Sequence, residues 1–234
     1  MNVKAVLFDL DGTLLPMNQE EFTKAYFGLL AKKLMPYGYE AKSLIDAIWS
    51  GTTAMVKNNG EKNNETVFWD DFEAHYGEDC RNDITVFEDF YNNEFDGAKT
   101  VCGFNPLAAQ TVAKVKEKGL SVVLATNPIF PAVATKKRIC WAGLKPEDFE
   151  FYTTYENSFC SKPNPKYYTD IAKRLNLLPE ECLMVGNDVR EDMVAQSVGM
   201  KVFLLTDCII NKDNTDISVY PSGDFNAFIK WLDK

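Results

Sequence analysis

Asp9 and Asp11 carry the strongest chemical signal in this chain. They sit two residues apart in Phe8-Asp9-Leu10-Asp11-Gly12-Thr13-Leu14, at the end of an apolar run over residues 3–10. Such a run reads as a buried parallel strand. Side chains two apart on a strand share a face, so a chain that stays extended past Asp9 aims both carboxylates at one point. Gly12 then lets the backbone turn away. Two anions that close repel unless a cation or a proton lies between them, which implies a divalent-metal site or two carboxyls with split pKa values.

Three further segments carry residues suited to join them. In Thr126-Asn127-Pro128, Asn127 is expected to cap a helix and Pro128 to be its first residue, leaving the Thr126 hydroxyl at a strand end beside a helix N-terminus suited to an anion. In Ser161-Lys162-Pro163-Asn164-Pro165, Asn164 and Pro165 open a helix over 166–175, so Lys162 is held just ahead of it by neighbouring prolines. A lone loop lysine is usually a solvated charge; near several aspartates it becomes a counter-ion and phosphate ligand. In Gly186-Asn187-Asp188, Asp188 ends a strand, and Asp192, four residues on, falls on the same face of the helix expected to follow. Acidic residues in a first helical turn often serve only the helix dipole. Four aspartates and one lysine nonetheless leave a negative balance that calls for a hard divalent cation on oxygen ligands, and Mg2+ fits best.

The elements that must position these residues follow from hydrophobic spacing. Over residues 19–95 the spacing is helical: Phe22, Tyr26 and Leu30, then Leu44, Ile48 and Trp49, then Phe68, Phe72 and Tyr76, then Phe87, Phe90 and Tyr91. That gives four helices with breaks near 36–38, 58–64 and 77–83. Beyond about residue 98, short strands at 120–126, 149–154, 182–186 and 201–206 alternate with helical stretches. With the first strand they make an α/β fold, a doubly wound, Rossmann-like parallel sheet, into which an all-α segment is inserted. The expected division is a core of residues 1–16 and 98–234 and a helical cap of residues 17–97. Open parallel sheets bind ligands beyond the carboxyl ends of their strands, where all four segments lie.

Composition narrows the function. The 234 residues are 46% hydrophobic and 25% charged, with a net charge of −9. That charge argues against nucleic-acid and anionic-membrane surfaces, and no apolar run approaches the ~20 residues of a membrane span. The first strand is expected within a few residues of Met1, so no signal peptide is expected there. The six cysteines have no C-x-x-C spacing, which points to buried free thiols and a cytoplasmic location. His75 is the only histidine, which leaves too few imidazoles for a multi-histidine metal centre; His75 itself is expected to be structural or exposed.

Asp9-Leu10-Asp11-Gly12-Thr13, Thr126-Asn127, Lys162-Pro163 and Gly186-Asn187-Asp188 through Asp192, in that order, resemble the four motifs of the haloacid dehalogenase superfamily, in its phosphohydrolase branch with a helical cap between the first and second motifs. The resemblance implies Asp9 as nucleophile and Asp11 as acid and base. Thr126 would hold a phosphoryl oxygen, with help from Asn127 and the backbone amides of Leu10 and Asp11, and Lys162 would balance charge. Mg2+ would be held by Asp9, Asp11 (through its carbonyl) and Asp188, with Asp192 on the metal or its waters. Asn187, where many relatives carry a carboxylate, would stand in the outer metal shell. The dehalogenase branch lacks the second aspartate of the first motif, so Asp11 argues for phosphate rather than halide chemistry.

The expected activity is hydrolysis of a small phosphorylated metabolite by a monomer or weak homodimer, with no nucleic-acid or membrane partner. A phosphomutase would share every core residue. A receiver module would place its acidic pair and phospho-acceptor on different strands and has no such insertion, and a non-catalytic binding protein would not need the full charged set. The cap, hinged near 15–18 and 95–100, would select the substrate. Trp49, Phe68, Trp69, Phe72, Tyr76, Thr52, Thr53 and the loop 57–60 are its candidates for contact.

Overall fold

The computed structural model describes residues 2–233. Its centre is a five-stranded parallel sheet of β1 (Ala5–Phe8), β2 (Ser121–Leu124), β3 (Cys182–Gly186), β4 (Lys201–Leu205) and β5 (Ser222–Gly223), in the order β2-β1-β3-β4-β5. Alternating side chains divide the core into two layers, as a sheet covered on both faces requires. Ala5 and Leu7 pack with Val123, Met184 and Leu204 against Tyr168 and Ile171 of α7 (Pro165–Arg174). Val6 and Phe8 face the other way with Leu124, Val185 and Phe203. There they meet α5 (Pro106–Glu117) and α8 (Phe225–Leu232).

The segment between β1 and β2 is helical: α1 (Gln19–Leu34), α2 (Ala41–Val56), α3 (Asn64–Tyr76) and α4 (Ile84–Asn92). Its boundaries follow local chemistry. Asn18 accepts the amides of Glu20 and Glu21 to start α1, Asn63 accepts that of Thr66 to start α3, and Gly77 ends α3. The two connections to the sheet run side by side, with Met17 bridging Cys102 and the Gly103 amide donating to the Pro16 carbonyl at 2.7 Å.

Three expectations need correction, and one strand lies outside them. Residues 149–154 do not form a full strand: they run beside β2 with three backbone hydrogen bonds but a single bridge, at Tyr152. β5 was not foreseen, because two residues carry no readable alternation. Asn127 does not cap a helix. The next one, α6 (Ala132–Trp141), starts five residues later, because Pro131 disfavours a helical conformation at Phe130. After Asp188 the chain makes a turn and then a short 3-10 helix, Met193–Val198, rather than an α-helix. All six cysteines are free thiols; Cys80, Cys160 and Cys182 are buried, whereas Cys140 is exposed. His75 is about half exposed and lies 3.7 Å from Asp71.

Candidate active site

Strand order brings the motifs together. β1 lies between β2 and β3, so Asp9, Thr126 and Asp188, each just beyond its strand, converge at one edge of the sheet. A cavity of about 710 Å³ opens there, lined by Asp9, Asp11, Thr126, Asn127, Asp188 and Asp192 among others.

Asp9 is buried, and its two oxygens have different partners. Oδ1 accepts from the Lys162 ammonium at 2.8 Å, and Oδ2 lies 3.0 Å from the Thr13 hydroxyl. That hydroxyl is also 2.9 Å from Asn187 Oδ1. The turn after Asp9 is closed by the amides of Gly12, Thr13 and Leu15, which leaves those of Leu10 and Asp11 outside it. Gly12 adopts φ +84°, and a Cβ there would lie 2.3 Å from Asn187 Nδ2. Gly12→Ala is therefore expected to cost roughly 2 kcal/mol or more from strain and overpacking, read as a lowered urea midpoint. Asn187 Nδ2 donates to the Cys208 carbonyl at 2.6 Å. Both ends of Asn187 are thus used structurally, tying the Asp9 turn to the loop after β4.

Lys162 has no exposed side-chain surface and lies between two carboxylates, 2.8 Å from Asp9 and 2.6 Å from Asp192. The Lys162–Pro163 peptide is cis, and Asn164 caps α7 as expected. Burial alone would push the lysine pKa down, but Asp192 and Asp9 outweigh it, so the ammonium stays charged. Asp192 is pushed up to about 6, by burial first, against the pull of Lys162. Its other oxygen accepts the Asp188 amide at 3.0 Å. Gly186 permits this fold-back, since a Cβ there would fall 2.1 Å from Asp192 Oδ2. Asp192 thus positions Lys162 and the Asp188 turn. Asp188 Oδ1 accepts the amides of Arg190 and Glu191 at 2.8 and 2.9 Å.

Two buried or half-buried charges were not read from the sequence. Arg138, on α6, has no exposed side-chain surface; it pairs with Asp11 Oδ2 and stacks 4.4 Å from the Phe130 ring. Its position on the buried stripe of Ala134, Thr135, Ile139 and Trp141 was the available signal. Burial raises the Asp11 pKa although Arg138 pulls it down. Glu191 accepts from Asn127 Nδ2 at 3.0 Å, and burial lifts it to about 7. Thr126 is buried, its carbonyl pinned by the Thr153 and Tyr167 hydroxyls at 2.7 and 2.8 Å.

Among the described residues, no three carboxylate, histidine or cysteine side chains stand close enough to form a metal cluster as arranged here. The donor chemistry still suits a hard cation. Among the described residues, Asp9 and Asp192 share Lys162, Asp11 pairs with Arg138, Asp188 and Glu191 have no ion pair, and Asp11 Oδ1 is buried without a partner. Such a carboxylate excess at one sheet edge is stabilised by a divalent ion on oxygen ligands.

The profile of the haloacid dehalogenase-like hydrolases matches residues 3–199, which spans every one of these side chains. The chain belongs to that family. Among its relatives, a bifunctional riboflavin kinase/FMN phosphatase of Arabidopsis thaliana is 27% identical over 84% of this chain and 47% of its own length. This haloacid dehalogenase-like hydrolase thus spans about half of that relative. A ribulose-1,5-bisphosphate 5-phosphatase of Halopiger xanaduensis is 23% identical over 86% of this chain and 83% of its own. Among solved structures, a HAD phosphatase from Thermococcus onnurineus superposes with a TM-score of 0.60 at 20% identity, with 98% of each chain covered. A predicted phosphoglycolate phosphatase from Haemophilus somnus gives 0.58 at 20% identity, with 99% of each chain covered. At these identities the likeness is one of fold. No helix among the described residues is long and apolar enough to cross a membrane.

Proposed function

We propose that this hydrolase removes phosphate from a small phosphorylated metabolite through an aspartyl-phosphate on Asp9. The carrying observation is the Asp9 carboxylate at the cavity floor, ion-paired to Lys162, with Asp11 two residues on and separately held by Arg138. An Asp9 oxygen attacks phosphorus while the bond to the leaving oxygen breaks, and Asp11 gives that oxygen its proton. Burial, which raises the Asp11 pKa, favours the protonated acid this step needs. Asp11 then takes a proton from water, and the resulting hydroxide attacks the aspartyl-phosphate, releasing phosphate and restoring the Asp9 carboxylate.

Lys162 offsets charge on Asp9 and the phosphoryl group. Thr126, Asn127 and the amides of Leu10 and Asp11 hold phosphoryl oxygens in line. Asp9, Asp188 and Asp11 would hold Mg2+, which when bound neutralises phosphoryl charge; Asp192 serves by fixing Lys162 and the Asp188 turn. Residues 17–97 act as a cap over a core of residues 1–16 and 98–234, excluding water during the first step. The phosphatase names of the Arabidopsis and Halopiger relatives support the reaction class. Six free thiols support a reducing, cytoplasmic setting.

The test is release of phosphate from 4-nitrophenyl phosphate with Mg2+ and with excess chelator. Turnover is expected with the metal and a drop to background without it; equal rates in both would refute the metal dependence, and no phosphate release in either would refute the phosphatase reading.

A further inference from the structure

The cavity extends well beyond the space a phosphoryl group needs, and its walls differ from its floor. Beyond the aspartates it is walled by Phe27, Trp49, Phe68, Trp69, Tyr91 and Phe130. Trp49 is 49% exposed despite its size, with its ring 5.5 Å from that of Phe27. An exposed indole on a cavity wall offers a stacking face. Trp69 is 4% exposed and lies on the same wall, its indole N–H interacting with the Tyr155 hydroxyl. Of the other expected contacts, Thr52, Thr53 and Lys57 line the cavity, whereas Phe72 is fully buried in the core and Tyr76 does not reach the wall.

The charge on this wall is negative. Glu65, Glu88 and Glu156 line it. Glu156 is occupied, with both oxygens accepting the Ala132 amide at 2.8 and 3.1 Å. Glu65 and Glu88 form no ion pair among the described residues. Burial raises the Glu65 pKa, and Glu156 and Glu88 raise it further, so the three carboxylates sense one another. The bases on the lining, Lys57 and Lys212, are both exposed. A second phosphate or a carboxylate on the substrate would lie against like charge in an apolar setting, which complementarity disfavours. A ring would gain stacking, and an ammonium would gain both carboxylates and the aromatic faces.

We infer that the alcohol half of the substrate is an aromatic group that carries no second anion and is bound best when it bears a cation. The inference rests on the phosphatase reading for its chemistry and on the cavity wall for its selectivity. It separates this chain from enzymes whose substrates carry a second anionic group.

The test uses three phenyl phosphates that differ only in the para arm: 2-aminoethyl, 2-hydroxyethyl and 2-carboxyethyl. An aliphatic control, 2-aminoethyl phosphate, completes the set. The expected order in kcat/KM is amine above hydroxyl above carboxylate, spanning about 10-fold or more, with the aliphatic amine below the aromatic one. The double variant Glu65→Gln/Glu88→Gln is expected to compress the amine-to-carboxylate ratio several-fold. Equal or reversed order, or a ratio that the double variant does not move, would overturn the inference. The three dephosphorylated alcohols are also titrated into the protein and followed by tryptophan fluorescence. Tighter binding of the amine with no phosphate released from any ester would uphold the wall's selectivity and sink the phosphatase reading; equal binding of all three would sink the selectivity.

Discussion

Asp9→Asn is expected to lower kcat on an aryl phosphate by roughly 10⁴-fold or more while the protein stays folded. The amide is isosteric with the carboxylate but lacks the negative oxygen that attacks phosphorus, and loss of a covalent nucleophile removes the step itself rather than tuning it. The reference reaction is slow enough that monoester hydrolases accelerate it by up to ~10²¹-fold, so little turnover survives without the nucleophile. The fold survives, at some cost in stability from the lost Asp9–Lys162 pair, because β1 is held by sheet pairing and by buried Leu7 and Phe8 on opposite faces and because Lys162 keeps Asp192 at 2.6 Å. Retention of the native circular dichroism spectrum together with kcat within 10-fold of wild type would refute the nucleophile assignment.

Lys162→Met is expected to cost about 3–5 kcal/mol of stability at pH 7 as well as activity, the usual consequence of removing one partner from a buried ion pair. The methionine fills much the same volume, so the loss is electrostatic. Asp9 and Asp192 are left facing each other without the ammonium that stood 2.8 and 2.6 Å from them.

The deficit has a pH signature. In the wild type burial already pushes the Asp192 carboxyl up to about 6, against the pull of Lys162. A carboxyl whose folded pKa is raised binds more protons in the folded than in the unfolded state, so its contribution to stability falls as pH rises from about 4 through 6. Without Lys162 the Asp192 pKa rises further, the proton is taken up at higher pH, and the deficit of the variant shrinks as pH falls from 8 towards 5. Urea melts at pH 8 and pH 5 check this; a deficit that stays constant or grows on acidification would contradict the charge-based account.

Much of the site was legible because its residues follow strands. The apolar run over residues 3–10, within which β1 occupies Ala5–Phe8, the glycine before Asn187 and the Asn164-Pro165 cap are local patterns that the structure reproduces. What failed also failed for local reasons. At residues 127–131 a first proline suggested a helix start, but the second, Pro131, governs it. The segment 149–154 is apolar and lies beside β2, yet only Tyr152 bridges, so it reads as a strand without being a regular one. Arg138 was passed over because a charged residue in a helix is ordinarily solvated; here it is buried against Asp11 and Phe130.

Local patterns were enough to show which side chains could do the chemistry, their order along the chain, and that they stand at the ends of parallel strands, since burial pattern and turn chemistry are properties of a few neighbouring residues. The pairing of charges emerged only when the chain was folded. Arg138 reaches Asp11 across 127 positions, and Lys162 reaches Asp9 across 153. The fold also decided that Asp192 folds back on Lys162 and that Glu65 and Glu88 face a cavity walled by aromatic rings. Such contacts depend on strand order and on where the inserted helices come to rest, and the energies that choose among them come from desolvating each charge beside a particular partner, which no local pattern encodes.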